Sequence, residues 1–409
     1  MDILFVLIIL IPFSTLATMI AWIGFYKEPK KIAKFAFLYI YGIFILSYSL
    51  IPDHDLDLNR YWYQVENIKG LSLSDAVQYF NDGLYIENVV FWIVGRLNML
   101  HLLPAITTSI VYGISTFIII DSNKRMNLKG SLIYILLFQS ILFPYLSIAA
   151  NIRNICAFAI GIYAVYREMI QKRRDLLMIL AYIAPIFMHK TGILILIIRL
   201  FVFVFQKTPI LSLSIVLLLP SLISFFYNNV SLISFPGTIG IIVRRLIISS
   251  HNYLIGGSEY AERLSRSTAA SLAKYAAIIC ILVQAYLLYK YYINHKDDDY
   301  SKLAIFSFLM SMVSFATTVF DTPAYWRFAM AVNISFNPIL LYYFGSGRKE
   351  IKISATSFKL MMLCLAGLRF SIEAARSIPR INFQETINML IYSNAYSIFI
   401  EFLKGLVSA

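Results

Sequence analysis

Charge is scarce in this chain. Asp, Glu, Lys and Arg make up 14% of its 409 residues, against about 25% in an ordinary soluble domain. Together with 59% hydrophobic residues and a mean hydropathy of +0.73, that scarcity excludes a soluble globular enzyme, a disordered protein and a nucleic-acid binder. Cysteine is equally sparse. Cys156, Cys280 and Cys364 stand far apart in apolar runs, which gives neither a zinc-ligand spacing nor a disulfide framework. Internal repeats, low-complexity linkers, phosphate-binding glycine loops and dinucleotide fingerprints are all missing. The net charge of +13 is explained without a polyanion partner, because Lys and Arg of membrane proteins collect in cytoplasmic loops. The composition is that of an all-α polytopic membrane protein, with the whole chain, 1–409, as one membrane domain.

A helix needs about 20 apolar residues to cross a bilayer. Charge-poor stretches of that kind cover 3–24, 35–52, 102–120, 130–148, 154–166, 209–226, 275–289, 303–320, 328–344 and 353–368, the last with Lys359 inside it. The run 176–206 reads as two shorter helices meeting near His189. The sum is about 12 spans, within 10 to 14. The first run is too long and too aromatic past residue 20 to be a cleaved signal peptide.

Six Lys/Arg clusters, from Lys27–Lys34 to Arg348–Lys352, can all be cytoplasmic if the N-terminus is outside and residues 53–120 cross once. Residues 53–101 then form an outer loop whose 86–101 portion is an interfacial or re-entrant helix, since Arg96, Asn98 and His101 make a lipid-exposed span costly. A second large outer loop is 227–273, and 369–409 is either a final span or an interfacial helix. This topology separates the cations. The cytoplasmic loops hold 13 Lys and 5 Arg, the outer loops 11 Arg and 4 Lys. Arginine, a planar and permanent donor fork suited to phosphate and carboxylate, therefore dominates outside. An outward-facing anionic ligand is the inference.

Asp53, Asp55 and Asp57 alternate directly after a membrane helix and lead into Arg60, Tyr61, Trp62 and Tyr63. Such carboxylates can act as general base, hold a sugar or bind a divalent cation, and flat rings stack on sugars; the plain alternative is an acidic turn with interfacial anchors. Arg153 opens an inward-going helix at the outer junction, where backbone N–H groups already favour an anion, or else it snorkels to the interface. His189 and Lys190 stand at the next outer junction; a histidine there is either a proton carrier or a hydrogen-bonded structural residue. Arg244 and Arg245 lie in the 227–273 loop, and Arg327 at the start of another inward-going helix. Arg199 sits inside an apolar run, from which it is expected to snorkel inward.

The stretch Asp53–Tyr63, then Tyr85-Ile86-Glu87 leading a helix, Ile152-Arg153-Asn154 with Ala157 and Ala159, and His189-Lys190-Thr191-Gly192 about 35 residues further on together resemble the EpsG-type oligosaccharide polymerases, relatives of the Wzy polymerases of O-antigen and capsule assembly. The likeness spans residues 40–200 and Arg327. Relatives tend to carry Arg-Gln and His-Ser where this chain has Arg153-Asn154 and His189-Lys190. The resemblance implies a glycosyltransferase of the bacterial inner membrane, facing the periplasm. It would join oligosaccharide repeat units carried on undecaprenyl pyrophosphate, alongside a flippase and a chain-length regulator.

In that scheme Arg153, Arg244, Arg245 and Arg327 stabilise the pyrophosphate leaving group. Asp55, Asp53 or His189 takes the acceptor proton, while Asp57, Arg60, Tyr63, Glu87 and Lys190 contact substrate. Neither a metal nor a cofactor is expected. Two alternatives stand beside it: an O-antigen ligase or other lipid-linked-sugar transferase, which shares the layout, and a polysaccharide transporter. Transport predicts facing charges at mid-membrane and often a repeat, whereas here charge gathers at the outer helix ends.

Overall fold

The computed structural model describes residues 29–53, 56–79, 84–128, 139, 143, 145–229, 247–248, 251, 268–319, 325–345, 350, 354–377 and 381–408. The expected first span, 3–24, and most of 130–148 lie outside the described residues. Every regular element among the described residues is helical. They are α1 (Pro29–Tyr48), α2 (Asp57–Ile68), α3 (Leu73–Gln78), α4 (Tyr85–Arg96), α5 (Leu102–Met126), α6 (Tyr145–Ala150), α7 (Ile152–Met169) and α8 (Leu176–Met188). A 3-10 turn, Lys190–Gly192, leads into α9 (Ile193–Lys207), and α10 (Pro209–Asn228) follows. The remainder is α11 (Thr268–Asn294), α12 (Asp299–Val319), α13 (Tyr325–Phe344), α14 (Ala355–Ser377), α15 (Phe383–Tyr392) and α16 (Ala395–Ser408).

Three described helices are long and apolar enough to cross a membrane, over Leu102–Met126, Lys274–Asn294 and Asp299–Thr318. Shorter apolar helices cover Ala36–Tyr48, Leu176–Met188 and Pro209–Leu218. Large apolar side chains stand exposed on α8, α9 and α10, among them Leu176, Leu180, Leu200, Phe203, Ile210 and Phe225. In water so broad an apolar surface would be a liability; against lipid it is the ordinary outer face. The helices also outrun the apolar stretches. α14 continues to Ser377, past the apolar run 353–368, so Arg369 and Arg376 belong to the same helix, and Arg369 is buried. A charged residue at a span's end can prolong the helix because the backbone ladder is indifferent to hydropathy.

At the centre are α5, α7, α12 and α13. α13 is buried almost all round from Phe328 to Phe344, as expected of a helix with no polar stripe. Polar side chains stitch these helices to one another and to α1, as is usual between membrane helices. Thr108 bonds Ser47 at 2.7 Å, Asn337 bonds Ser115 at 2.8 Å, and the Ser122 and Tyr166 hydroxyls meet at 2.9 Å.

The bundle has two chemically distinct ends. At the basic end, Arg125 pairs with Asp121 at 2.7 Å, Lys172 with Asp299 at 2.5 Å and His295 with Glu350 at 3.0 Å. Burial opposes ionisation of Glu350, but hydrogen bonds from Tyr342, Asn294 and His295 outweigh it and hold the carboxyl below its ordinary range. At the far end α2, α3 and α4 fold with the first turns of α5 and α7 into a small second core around Tyr61, Val65, Phe91, Val94, Leu103 and Ile152. Ser72 caps α3 by accepting from the Asp75 N–H at 3.2 Å while its hydroxyl donates to the Asp75 carboxylate at 2.7 Å.

The chain's C-terminal part is two helices of 10 and 14 residues, not one of span length. Both dock at the far end. Pro52 and Ile381 form an antiparallel bridge, Asn382 N–H donates to the Ile51 carbonyl at 3.0 Å, and the Tyr48 hydroxyl donates to Glu401. Gly405 lies so close to Leu97 that a Cβ would fall 2.4 Å from its carbonyl oxygen; only glycine permits that approach.

Candidate functional site

The first turn of α7 carries Arg153, and its guanidinium is held from two sides. Nη1 donates to Glu87 Oε1 of α4 at 2.9 Å; Nε donates to the Tyr61 hydroxyl of α2 at 3.2 Å. The guanidinium carbon also stands 5.0 Å from the Tyr61 ring centroid, a cation–π distance. Three separate far-end segments thus converge on one cation. Glu87 is only 6% exposed and the Arg153 side chain 21%. The carboxylate is held inside while the guanidinium keeps one edge accessible. Nη2 makes no hydrogen bond among the described residues. On either side of Arg153, the buried Asn151 and Asn154 each carry an Oδ1 with no hydrogen-bond partner among the described residues. Leaving a buried polar atom unmet costs about 1–3 kcal/mol.

Helix geometry selects Tyr61 over Tyr63. Leu58, Tyr61, Val65 and Ile68 are the buried residues of α2, an i, i+3, i+7 stripe. Tyr63, two positions from Tyr61, points the other way and is 69% exposed. Arg60 and Asp57 pair with each other at 3.5 Å on the exposed side of α2. Asp53 is exposed just before α2, its carbonyl accepting from Leu56 N–H at 3.1 Å. Asp55, Arg244 and Arg245 lie outside the described residues.

His189 ends α8 and is buried. Its Nδ1 accepts from the Thr191 N–H at 3.2 Å and faces the Thr191 hydroxyl at 2.7 Å. With Nδ1 accepting there, the neutral ring carries its proton on Nε2. The turn is compact: Gly192 N–H donates to the His189 carbonyl at 2.8 Å, and a Cβ at Gly192 would fall 2.3 Å from the Pro185 carbonyl oxygen. Lys190 lies in this 3-10 turn. The Tyr85 and Phe187 rings meet at 5.8 Å, bringing the His189 turn beside the helix start that supplies Glu87. Arg327 is the third residue of α13, and the adjacent Phe328 meets Phe158 of α7 at 5.5 Å. The two arginine-bearing helices therefore run side by side. His251, in the 227–273 loop, stacks on Tyr227 at 3.6 Å.

A second group escapes sequence reasoning. His101 lies 4.8 Å from Trp62 and 5.6 Å from Tyr48 between ring centroids, and Tyr48 in turn donates to Glu401. Burial lowers the His101 pKa, against the raising effects of Glu401 and of the Tyr48 and Leu50 carbonyls. The available signal was Glu401, the one carboxylate in the C-terminal run 395–409. Arg199, expected to snorkel, instead has a partner: Nε and Nη2 bond the Glu168 carboxylate at 2.8 and 2.5 Å. Among the described residues no three His, Cys, Asp or Glu side chains group as metal ligands. The chain matches no protein-family model, no curated protein and no solved structure.

Proposed function

We propose that the protein is a membrane glycosyltransferase that polymerises oligosaccharide repeat units carried on a polyprenyl pyrophosphate. The observation that carries this reading is the Arg153 guanidinium, oriented by Glu87 and Tyr61 with Nη2 left for an anionic ligand. Reaction breaks the bond between the donor's anomeric carbon and the pyrophosphate oxygen, and forms one from that carbon to an acceptor sugar hydroxyl. The hydroxyl proton passes to a carboxylate, for which Asp53 and Asp55 are the candidates. Negative charge grows on the leaving pyrophosphate, where an oriented arginine stabilises it more in the transition state than before. Arg327, on the neighbouring helix, can share that charge. Glu87 acts through Arg153 as a positioning residue, and His189 as a hydrogen-bond donor to the sugar.

An apolar groove of about 300 Å³ lies between α1, the α4–α5 turn and α16, lined by Tyr41, Phe44, Met99 and Phe399. It gives a greasy carrier chain a berth at the same end. The wider picture is a bacterial inner-membrane protein of about 12 spans with this end facing the periplasm, fed by a flippase and working with a chain-length regulator. Deleting the gene and resolving surface polysaccharide by gel tests the reading. Loss of the polymer ladder with single repeat units retained supports it. An unchanged ladder, or units accumulating unattached to their final acceptor while polymer persists, overturns it.

A further inference from the structure

We propose that the protein binds the phosphate headgroup of an anionic phospholipid at its basic end, in a cavity between α7, α9 and α12 remote from the far-end arginine cluster. The cavity measures about 370 Å³, and Glu168, Lys172, Arg174, Arg199, Phe203 and Lys302 line it. That volume is within the range of small-ligand sites. Four cations face one carboxylate. Arg199 is tied to Glu168, with its Cζ 4.5 Å from the Phe203 ring centroid, and Lys172 is tied to Asp299. Arg174 and Lys302 make no ion pair among the described residues. Against Asp299 and Glu168, whose carboxylate also feels the Arg174 charge, the four cations leave a net charge of +2, matched to a phosphodiester or phosphomonoester. Arg199 adds a donor: its Nη1 is buried with no hydrogen bond among the described residues.

The loop that carries Lys172 and Arg174 is built in place. α7 ends through Lys172, whose φ of 56° is left-handed. Arg173 N–H closes the turn on the Arg167 carbonyl at 3.1 Å. Arg167 pairs with Asp175, and Asp175 caps α8 by accepting from Met178 N–H at 3.0 Å. Two groups on one rigid turn therefore present cations to the cavity without further ordering.

A lipid, not a free phosphate, follows from the surroundings. Beside the cavity α9 exposes Leu200, Phe203 and Val204, a run along which acyl chains can lie while the headgroup enters from the side. Basic pockets between helices at the cytoplasmic face are a known way to hold anionic lipid.

The test uses the full-length protein in neutral detergent, with native mass spectrometry counting bound phosphatidylglycerol. Arg174→Gln with Lys302→Gln, both exposed positions, is expected to weaken retention at least about tenfold and to leave phosphatidylcholine retention unchanged. Lys124→Gln with Lys296→Gln removes the same charge elsewhere at the basic end and is expected to have no effect. Glycerol phosphate, the headgroup without chains, is expected not to compete. Wild-type retention in the first variant, equal loss in the control variant, or competition by glycerol phosphate would each overturn the proposal.

Discussion

Arg153 and Glu87, 66 positions apart in the chain, meet at 2.9 Å in a largely buried ion pair. Removing one partner of such a pair strands the other's charge, which is worse than removing both. Glu87→Ala is expected to lower stability by about 3 kcal/mol, and Glu87→Ala with Arg153→Met to recover most of it. Thermal unfolding of both variants in detergent measures this. Equal losses in the single and double variants would show that packing at Glu87, not charge, matters.

Arg153→Lys and Arg327→Lys separate a pyrophosphate clamp from an interfacial anchor. Lysine snorkels as well as arginine, but it lacks the planar fork that reaches Glu87, Tyr61 and a ligand together. Each change is expected to leave expression near normal and to cut polymer formation at least about tenfold, or roughly 1.4 kcal/mol of transition-state stabilisation. Wild-type chain lengths and rates from both variants would make these arginines anchors and turn attention to Arg244 and Arg245.

Tyr61 and Tyr63 are expected to respond differently although only two positions apart. Tyr61→Phe keeps the ring under Arg153 but removes the hydroxyl that accepts from Nε, and a severalfold loss of polymer is expected. Tyr63→Phe alters an exposed hydroxyl and is expected to change nothing. A reversed order in a polymer assay would mean that Tyr63 meets substrate directly.

Sidedness is open to cysteine labelling once the exposed native thiol Cys364 is replaced by Ala. Arg60→Cys is expected to react with a membrane-impermeant maleimide in intact cells stripped of their outer layer. Lys124→Cys and Lys172→Cys are expected to react only after permeabilisation. Arg60 reports the far end better than Arg153, which Glu87 and Tyr61 shield. Labelling of all three in sealed cells would break the topology.

Acid should loosen the basic end through Glu350. Its folded pKa is held below the ordinary carboxylate value by Tyr342, Asn294 and His295. That stabilisation is complete above the unfolded value of about 4.3 and is lost as pH falls through the lower folded value. Thermal midpoints scanned from about pH 6 to about pH 3 are expected to drop less steeply in Glu350→Gln than in the wild type. Parallel curves would remove Glu350 from the acid response.

Much of the molecule was legible before any coordinates. Hydropathy is a sum over neighbours in the chain, so the apolar runs announced the helices α5, α11 and α12, and the charged residues between runs marked the ends. Arg153 stood out because it opens a helix on the arginine-rich side. Glu87 stood out only as part of a short motif, and nothing in the sequence joined the two.

What only the tertiary structure decided were the partnerships. Tyr61 holds Arg153 and Tyr63 does not, because one face of α2 is buried against α4, and a two-residue step on a helix turns a side chain to the opposite face. Arg199 acquired Glu168 because α9 lies against α7, a packing that hydropathy cannot see. The two C-terminal helices docked on the far end through single contacts such as Gly405 against Leu97. Helix formation depends on local backbone hydrogen bonds and on transfer out of water, and both are written residue by residue. An ion pair between segments exists only once the helices have packed, so its partners are chosen by the fold.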